Sequence, residues 1–237
     1  MSTCLLVLWD IDHTLIQTGG VGTEVFAAAF RTATGVDLVD APDPTGKLER
    51  GLFAAAYAEN GIGDGTALFP AFAEAQEQEY RRRHADLTMR GRVLPGVPGL
   101  LDALANRQGV IQTVLSGNTE PSGRAKLEIF GLADYLDFTS AAWGTDADTR
   151  PELVSAAWKR AHATYGHGFG PADTVVIGDT PADIETALTN RCRLVAVATG
   201  KTTAEELREA GAETVLPDLS DEQAALAAIL GSGQAVG

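Results

Sequence analysis

An α/β protein with a parallel-sheet core and an inserted, all-helical segment is the fold class this sequence predicts. Three observations lead there. The apolar run Leu5-Leu6-Val7-Leu8-Trp9 delivers Asp10 and Asp12 into a small polar turn. From Val93 onward, short apolar runs alternate with segments of three-to-four periodicity, the grammar of βαβ units with right-handed crossovers. Between these two regions, helical periodicities follow one another with no strand among them.

In order, the pattern predicts a strand over residues 4–10 and then helices over 21–33, 48–59 and 67–86. Gly19-Gly20 on entry to this helical stretch, and Gly91 with Pro95-Gly96 on exit, supply hinge chemistry. Next come a helix over 98–107, a strand over 110–115, a helix over 121–130 and a short strand over 136–141. They are followed by a helix over 151–164, a strand over 174–178, a helix over 181–190 and a strand over 193–198. Asp179-Thr180-Pro181 is good helix-start chemistry, because Pro fits the first turn and Thr or Asp caps it. A last set predicts helix 203–210, strand 214–216 and helix 222–230, before a tail over 231–237 with no apolar face to bury, expected to be loose.

With 237 residues and 45% hydrophobic content, the chain has enough material for a full core and a small accessory domain. Its formal charge of -14 repels phosphate backbones, and no basic stripe with interleaved aromatics offsets this, so a nucleic-acid partner is not expected. The basic cluster Arg81-Arg82-Arg83 follows the acidic stretch from Glu74 to Glu79 on one predicted helix and reads as a solvated helix end. The first apolar run is too short to span a membrane and lacks the flanks of a signal peptide, so no membrane partner and a cytoplasmic location are expected. Cys4 and Cys192 are too few for a disulfide framework or a zinc site and read as small core residues. The sequence leaves the oligomeric state open.

Ligands of parallel α/β sheets bind beyond the carboxyl ends of the strands. Polar clusters stand at three such ends: Asp10 and Asp12 after the first strand, Ser116-Gly117-Asn118 after 110–115, and Gly178-Asp179-Thr180-Pro181-Ala182-Asp183 after 174–177. Each alone reads equally well as turn or capping chemistry. Together, in this order, they resemble the haloacid dehalogenase (HAD) superfamily, whose phosphatases carry an Asp-x-Asp-x-Thr first motif, a Ser/Thr second motif and a Gly-Asp-x-x-x-Asp fourth motif. The position of the helical insert and the Gly-Asp-Thr-Pro-x-Asp sequence are most similar to the phosphoglycolate phosphatase and β-phosphoglucomutase branch.

The resemblance implies a Rossmann-like core over residues 1–16 and 93–237 and a helical cap over 17–92. It implies Mg2+-dependent hydrolysis of a small phosphorylated metabolite through an aspartyl-phosphate. Asp10 would be the nucleophile, and Asp12 the acid for the leaving alcohol and then the base for water. The metal would be held by Asp10, the Asp12 backbone carbonyl and Asp179, with Asp183 in or near the shell. An oxygen-only set of this kind suits Mg2+. Ser116, with the amides of Gly117 and Asn118, would cradle the phosphate. The third motif is usually Lys-Pro. Here Arg150-Pro151 stands at that spacing, and Lys126 on the preceding helix is the rival for the same cationic role. Within the cap, Lys47 in Asp43-Pro44-Thr45-Gly46-Lys47 is the candidate substrate contact, or else a surface lysine at a helix start.

The acid at Asp12 argues against the dehalogenases and phosphonatases of the superfamily, which lack one. His13 stands where many relatives have Gly, and packing or hydrogen bonding is the expected role. Thr199-Gly200-Lys201-Thr202 looks like a phosphate-binding loop, but Val195 occupies the position of its required first glycine. His13, His84, His162 and His167 have no metal-ligand spacing, and no serine-hydrolase elbow occurs. A phosphosugar mutase of the same fold and a catalytically silent phosphate-binding protein are the alternative readings.

Overall fold

A computed structural model describes residues 4–61 and 66–231; the expectation for the tail from 232 on lies outside the described residues. The chain begins with β1 (Leu5–Trp9) and a two-residue β2 (Ile16–Gln17), then enters the helical insert with α1 (Val21–Thr34), α2 (Glu49–Glu59), α3 (Phe69–Arg82) and α4 (His84–Arg90). β3 (Arg92–Val93) closes the insert, and α5 (Val97–Ala105), β4 (Val110–Ser116), α6 (Glu120–Ile129) and β5 (Ala142–Trp143) follow. The remainder alternates through α7 (Glu152–Tyr165), β6 (Thr174–Gly178), α8 (Pro181–Asn190), β7 (Arg193–Val197), α9 (Ala204–Glu209), β8 (Val215–Leu216) and α10 (Glu222–Leu230).

The main sheet is parallel throughout, in the order β5-β4-β1-β6-β7-β8. All five residues of β1 are buried, as a central strand covered on both faces requires. Alternate residues serve opposite layers. Leu5, Val7 and Trp9 pack with Leu100, Leu101, Leu104 and Ile229 on one face, whereas Leu6 and Leu8 pack with Leu153, Val154 and Ala187 on the other. Because β1 lies between β4 and β6, the loops leaving these three strands emerge side by side at one end. That neighbourhood contains Asp10, Asp12, Ser116 and Asp179.

The insert has its own aromatic core, in which Phe30, Phe53, Tyr57, Phe69 and Phe72 pack at ring separations of 4.8–6.4 Å. A separate cluster joins it to the sheet layer: Val21, Val25, Tyr80 and Leu87 meet Ala125, Ile129 and Phe130. At the junction, β2 pairs antiparallel with β3, placing Ile16 opposite Val93 and Gln17 opposite Arg92. No helix among the described residues is long and apolar enough to cross a membrane.

Local differences from the sequence-based expectations have visible causes. The helix expected over 67–86 begins with a 3-10 turn and breaks at Arg83, so that α4 turns Leu87 into the joining cluster. The strand expected over 136–141 is instead a turn, because Asp137 accepts from the Thr139 amide (2.8 Å) and hydroxyl (2.6 Å); pairing resumes only at Ala142. Arg81-Arg82-Arg83 is a set of helix ion pairs with Glu77 and Glu79, extended to Glu128 on α6 and Glu24 on α1. Cys4 and Cys192 are free and half-buried against the second sheet layer.

Candidate active site

Asp10 leaves the end of β1 with its amide bonded to the Ile177 carbonyl, which locks the turn to β6. Its carboxylate is buried, and Oδ1 accepts from Arg150 Nη2 at 2.7 Å. Arg150 also reaches Asp183, whose Oδ1 accepts from Nε at 3.0 Å and Nη2 at 2.7 Å. Asp183 is fixed in turn by a capping box at the start of α8: its Oδ2 accepts from the Thr180 amide and hydroxyl. Asp179 completes the group, with its Oδ1 accepting from Thr14 Oγ1 at 3.2 Å.

Carboxylate oxygens of Asp10, Asp179 and Asp183 all lie within 4.8 Å of one another. Burial and the neighbouring aspartates raise the Asp10 carboxyl well above the ordinary range despite Arg150. Burial, then the charges of Asp10 and Asp183, do the same to Asp179. Crowded, desolvated oxygens of this kind favour either protons or a hard cation. The donor set therefore fits a Mg2+-type ion, with Asp10 and Asp179 the freer ligands and Asp183 already committed through both oxygens.

Asp12 belongs to a second cluster. Lys126 Nζ lies 2.9 and 2.7 Å from its two carboxylate oxygens and 2.7 Å from Asn118 Oδ1. An ammonium has only donors, so the Asn118 amide must turn its oxygen to Lys126 and its NH2 to Asp12 (2.8 Å) and Ser116 Oγ (2.8 Å). Burial alone would raise the Asp12 pKa, but Lys126, then Asn118, outweigh it and hold the carboxyl below its usual range. Lys126 is buried, and Asp12 keeps it firmly protonated. Sequence spacing set Arg150 and Lys126 as rivals for one role. The structure brings both in, on different aspartates.

The insert closes one side of this cluster. Glu49 donates its amide to the Gly117 carbonyl at 2.8 Å, and the Lys47 carbonyl lies so close to Gly117 that a side chain there would collide with it. Lys47 thus meets the second-motif loop through its backbone, and its side chain is exposed. Tyr80 places its ring 5.0 Å from Lys126 Nζ, and burial pushes its hydroxyl up to about 12. Glu49 and Gln76 are buried beside it and bonded to each other. None of these three residues carries a local signal of its place. Glu49 resembles an ordinary acid at a helix start, and Gln76 sits inside an acidic run that reads as a solvated face.

His13 takes a left-handed backbone, φ 65°, a conformation that Gly adopts without strain. Its carbonyl accepts from Thr199 Oγ1, and its buried Nδ1 has no partner. The segment Thr199-Gly200-Lys201-Thr202 does reach the site, but as packing: Gly200 lies against Asp179 with no space for a side chain.

Comparison with known proteins agrees with this geometry. The sequence model of the haloacid dehalogenase-like hydrolases matches residues 7–188. "Probable phosphatase IndB" of Dickeya dadantii (strain 3937) is 27% identical over 233 residues, 95% of this chain and 94% of that protein. Among solved structures, a predicted phosphoglycolate phosphatase from Haemophilus somnus 129PT superposes with a TM-score of 0.66 at 17% identity, over 94% of this chain and 98% of that one. A Bacteroides vulgatus protein provisionally assigned as a β-phosphoglucomutase gives 0.68 at 18% identity, over 96% and 91%. The likeness to the two structures is one of fold.

Proposed function

The chain belongs to the haloacid dehalogenase-like hydrolases, and from that premise we propose that it is a Mg2+-dependent phosphatase acting on a small phosphomonoester. The observation that carries this reading is the pairing of two aspartates with two cations at adjacent strand ends. Asp10 is held by Arg150 beside the Asp179 and Asp183 carboxylates, and Asp12 is held by Lys126 and Asn118.

In this reading, an Asp10 carboxylate oxygen attacks the phosphorus and the bond to the leaving oxygen breaks, giving an aspartyl-phosphate. Asp12, which rests ionised against Lys126, must first take up a proton, and it then passes that proton to the leaving alcohol. It then takes a proton from the water that attacks phosphorus, which releases inorganic phosphate and restores Asp10. Ser116 Oγ accepts from Asn118, leaving its proton to donate to a phosphate oxygen, with the Gly117 and Asn118 amides alongside. Arg150 and Lys126 offset negative charge as it develops on the transferring group. Mg2+, held by Asp10, the Asp12 carbonyl and Asp179 in front of Asp183, would supply further charge neutralisation. Residues 17–92 act as a cap that excludes water from the reacting ester.

The test is phosphate release from a panel of phosphomonoesters, with and without Mg2+, for the native protein and Asp10→Asn. Mg2+-dependent release that disappears in the variant supports the proposal. Equal release by both proteins overturns it by removing Asp10 from the reaction, and no release from any ester by a folded protein overturns it in favour of a mutase or a silent binding scaffold.

A further inference from the structure

The insert turns one buried carboxylate toward the Asp12 cluster. Helix α2 starts where its first amide docks on the Gly117 carbonyl, and the side chain of that residue, Glu49, is buried, whereas its neighbours Lys47 and Arg50 are exposed. Opposite it, α3 brings in Gln76, also buried. Gln76 Oε1 accepts from Ser122 Oγ at 2.7 Å, so its NH2 faces Glu49 and donates to Oε1 at 2.5 Å. This chain, running from the core helix α6 through α3 to α2, orients Glu49 as an acceptor.

Burial raises the Glu49 carboxyl above its ordinary range and Asp12 adds to this, while Lys126 and the Gln76 amide oppose it and favour the carboxylate that the hydrogen bond from Gln76 requires. Lys126 already faces both oxygens of Asp12 and the Asn118 carbonyl oxygen, and Arg150 already faces Asp10 and Asp183. Both buried cations are therefore paired with the aspartates that the phosphatase reading assigns to the phosphoryl group. What the insert adds beside them is a carboxylate.

Resting on the phosphatase reading, we propose that Glu49 determines specificity for the leaving group, and that the substrate is the phosphate ester of a neutral polyhydroxylated alcohol. A hydroxyl of that alcohol donates to Glu49. A carboxylate in the same place meets a like charge in a desolvated site and is rejected.

The discriminating pair is glycerol 3-phosphate and 3-phosphoglycerate, which differ by a hydroxymethyl group against a carboxylate. The native protein is expected to favour glycerol 3-phosphate at least tenfold in kcat/KM. Glu49→Gln keeps the shape and a contact with Gln76, and should cut that ratio at least tenfold. Preference for 3-phosphoglycerate by the native protein, or a ratio unmoved in Glu49→Gln while both rates fall together, overturns the proposal; the latter result makes Glu49 a latch between insert and core. If Glu49→Gln does not fold, the native preference still decides. p-Nitrophenyl phosphate separates the two levels: turnover of it without preference within the pair defeats this proposal alone, whereas no turnover of any ester defeats the phosphatase reading as well.

Discussion

Arg150 Nη2 donates to Asp10 Oδ1 at 2.7 Å across 140 residues of sequence, and the same nitrogen lies 2.7 Å from Asp183 Oδ1. A guanidinium is suited to this double contact because its donors are fixed in a plane, whereas a lysine is a single point charge. The Arg at the third-motif position therefore does more than replace a cation. It ties the end of β1 to the start of α8.

Arg150→Ala is expected to lower kcat by about 10²–10³-fold, the scale of losing one donor to developing negative charge. It should also destabilise the metal-free protein by about 3–5 kcal/mol, because Asp10 and Asp183 are left buried without their counter-charge. Arg150→Lys should fall between Ala and native in both respects. Steady-state kinetics and urea unfolding check the two effects separately, and an alanine variant with native kcat would remove Arg150 from the reaction.

Lys126 holds Asp12 below the usual carboxylate range. In Lys126→Met that pull is gone, so the Asp12 pKa rises and the acid stays protonated to higher pH. The basic limb of kcat/KM should move upward, while kcat falls by about 10–100-fold through the lost charge on the phosphoryl group. A basic limb that stays in place would show that it reports another group.

Asp10 and Asp179 carry pKa values raised above those of unfolded aspartates. Each binds its proton more tightly in the folded chain, so between the ordinary range, about 4, and the raised values the folded state holds more protons than the unfolded one. The metal-free protein should accordingly lose stability as pH rises from about 4 through neutrality. Mg2+ competes with those protons, so its stabilising effect should grow over the same interval. Thermal unfolding from pH 5 to 8, with and without Mg2+, measures both. A Mg2+ shift in Tm that is larger at pH 5 than at pH 8 would contradict this account.

The sheet and the three strand-end clusters were legible because each leaves a local signal: an apolar run followed by polar turn residues. Strand order then supplies what no single segment contains, since β4 and β6 flank β1 only in the folded sheet. The segment 136–141 misleads for a local reason, in that its apolar residues suit a strand but Asp137 and Thr139 close a turn. Spacing slightly favours Arg150 over Lys126 for a single role, but it cannot show that two aspartates wait for them, 140 and 114 residues away. Glu49 and Gln76 were invisible for a different reason. Their partners lie on separate helices, and helical periodicity places a residue on a face without saying what the face meets.

His13 offers the remaining prediction, because its left-handed backbone conflicts with its side chain. An L-residue at φ 65° is strained by about 1–2 kcal/mol relative to the right-handed region, and a β-branched residue is tolerated worst. His13→Gly removes the strain, and offsets that gain with about 0.5–1 kcal/mol of extra backbone entropy in the unfolded chain. It also deletes a ring whose buried Nδ1 has no partner, so little bonding is lost. The two effects nearly cancel, and urea unfolding should place His13→Gly within about 1 kcal/mol of native, while His13→Val loses more than that. If His13→Gly instead proves the more destabilising of the two, the ring contributes packing at this turn that outweighs the backbone strain, and its place beside Asp12 is structural support for the loop between β1 and β2.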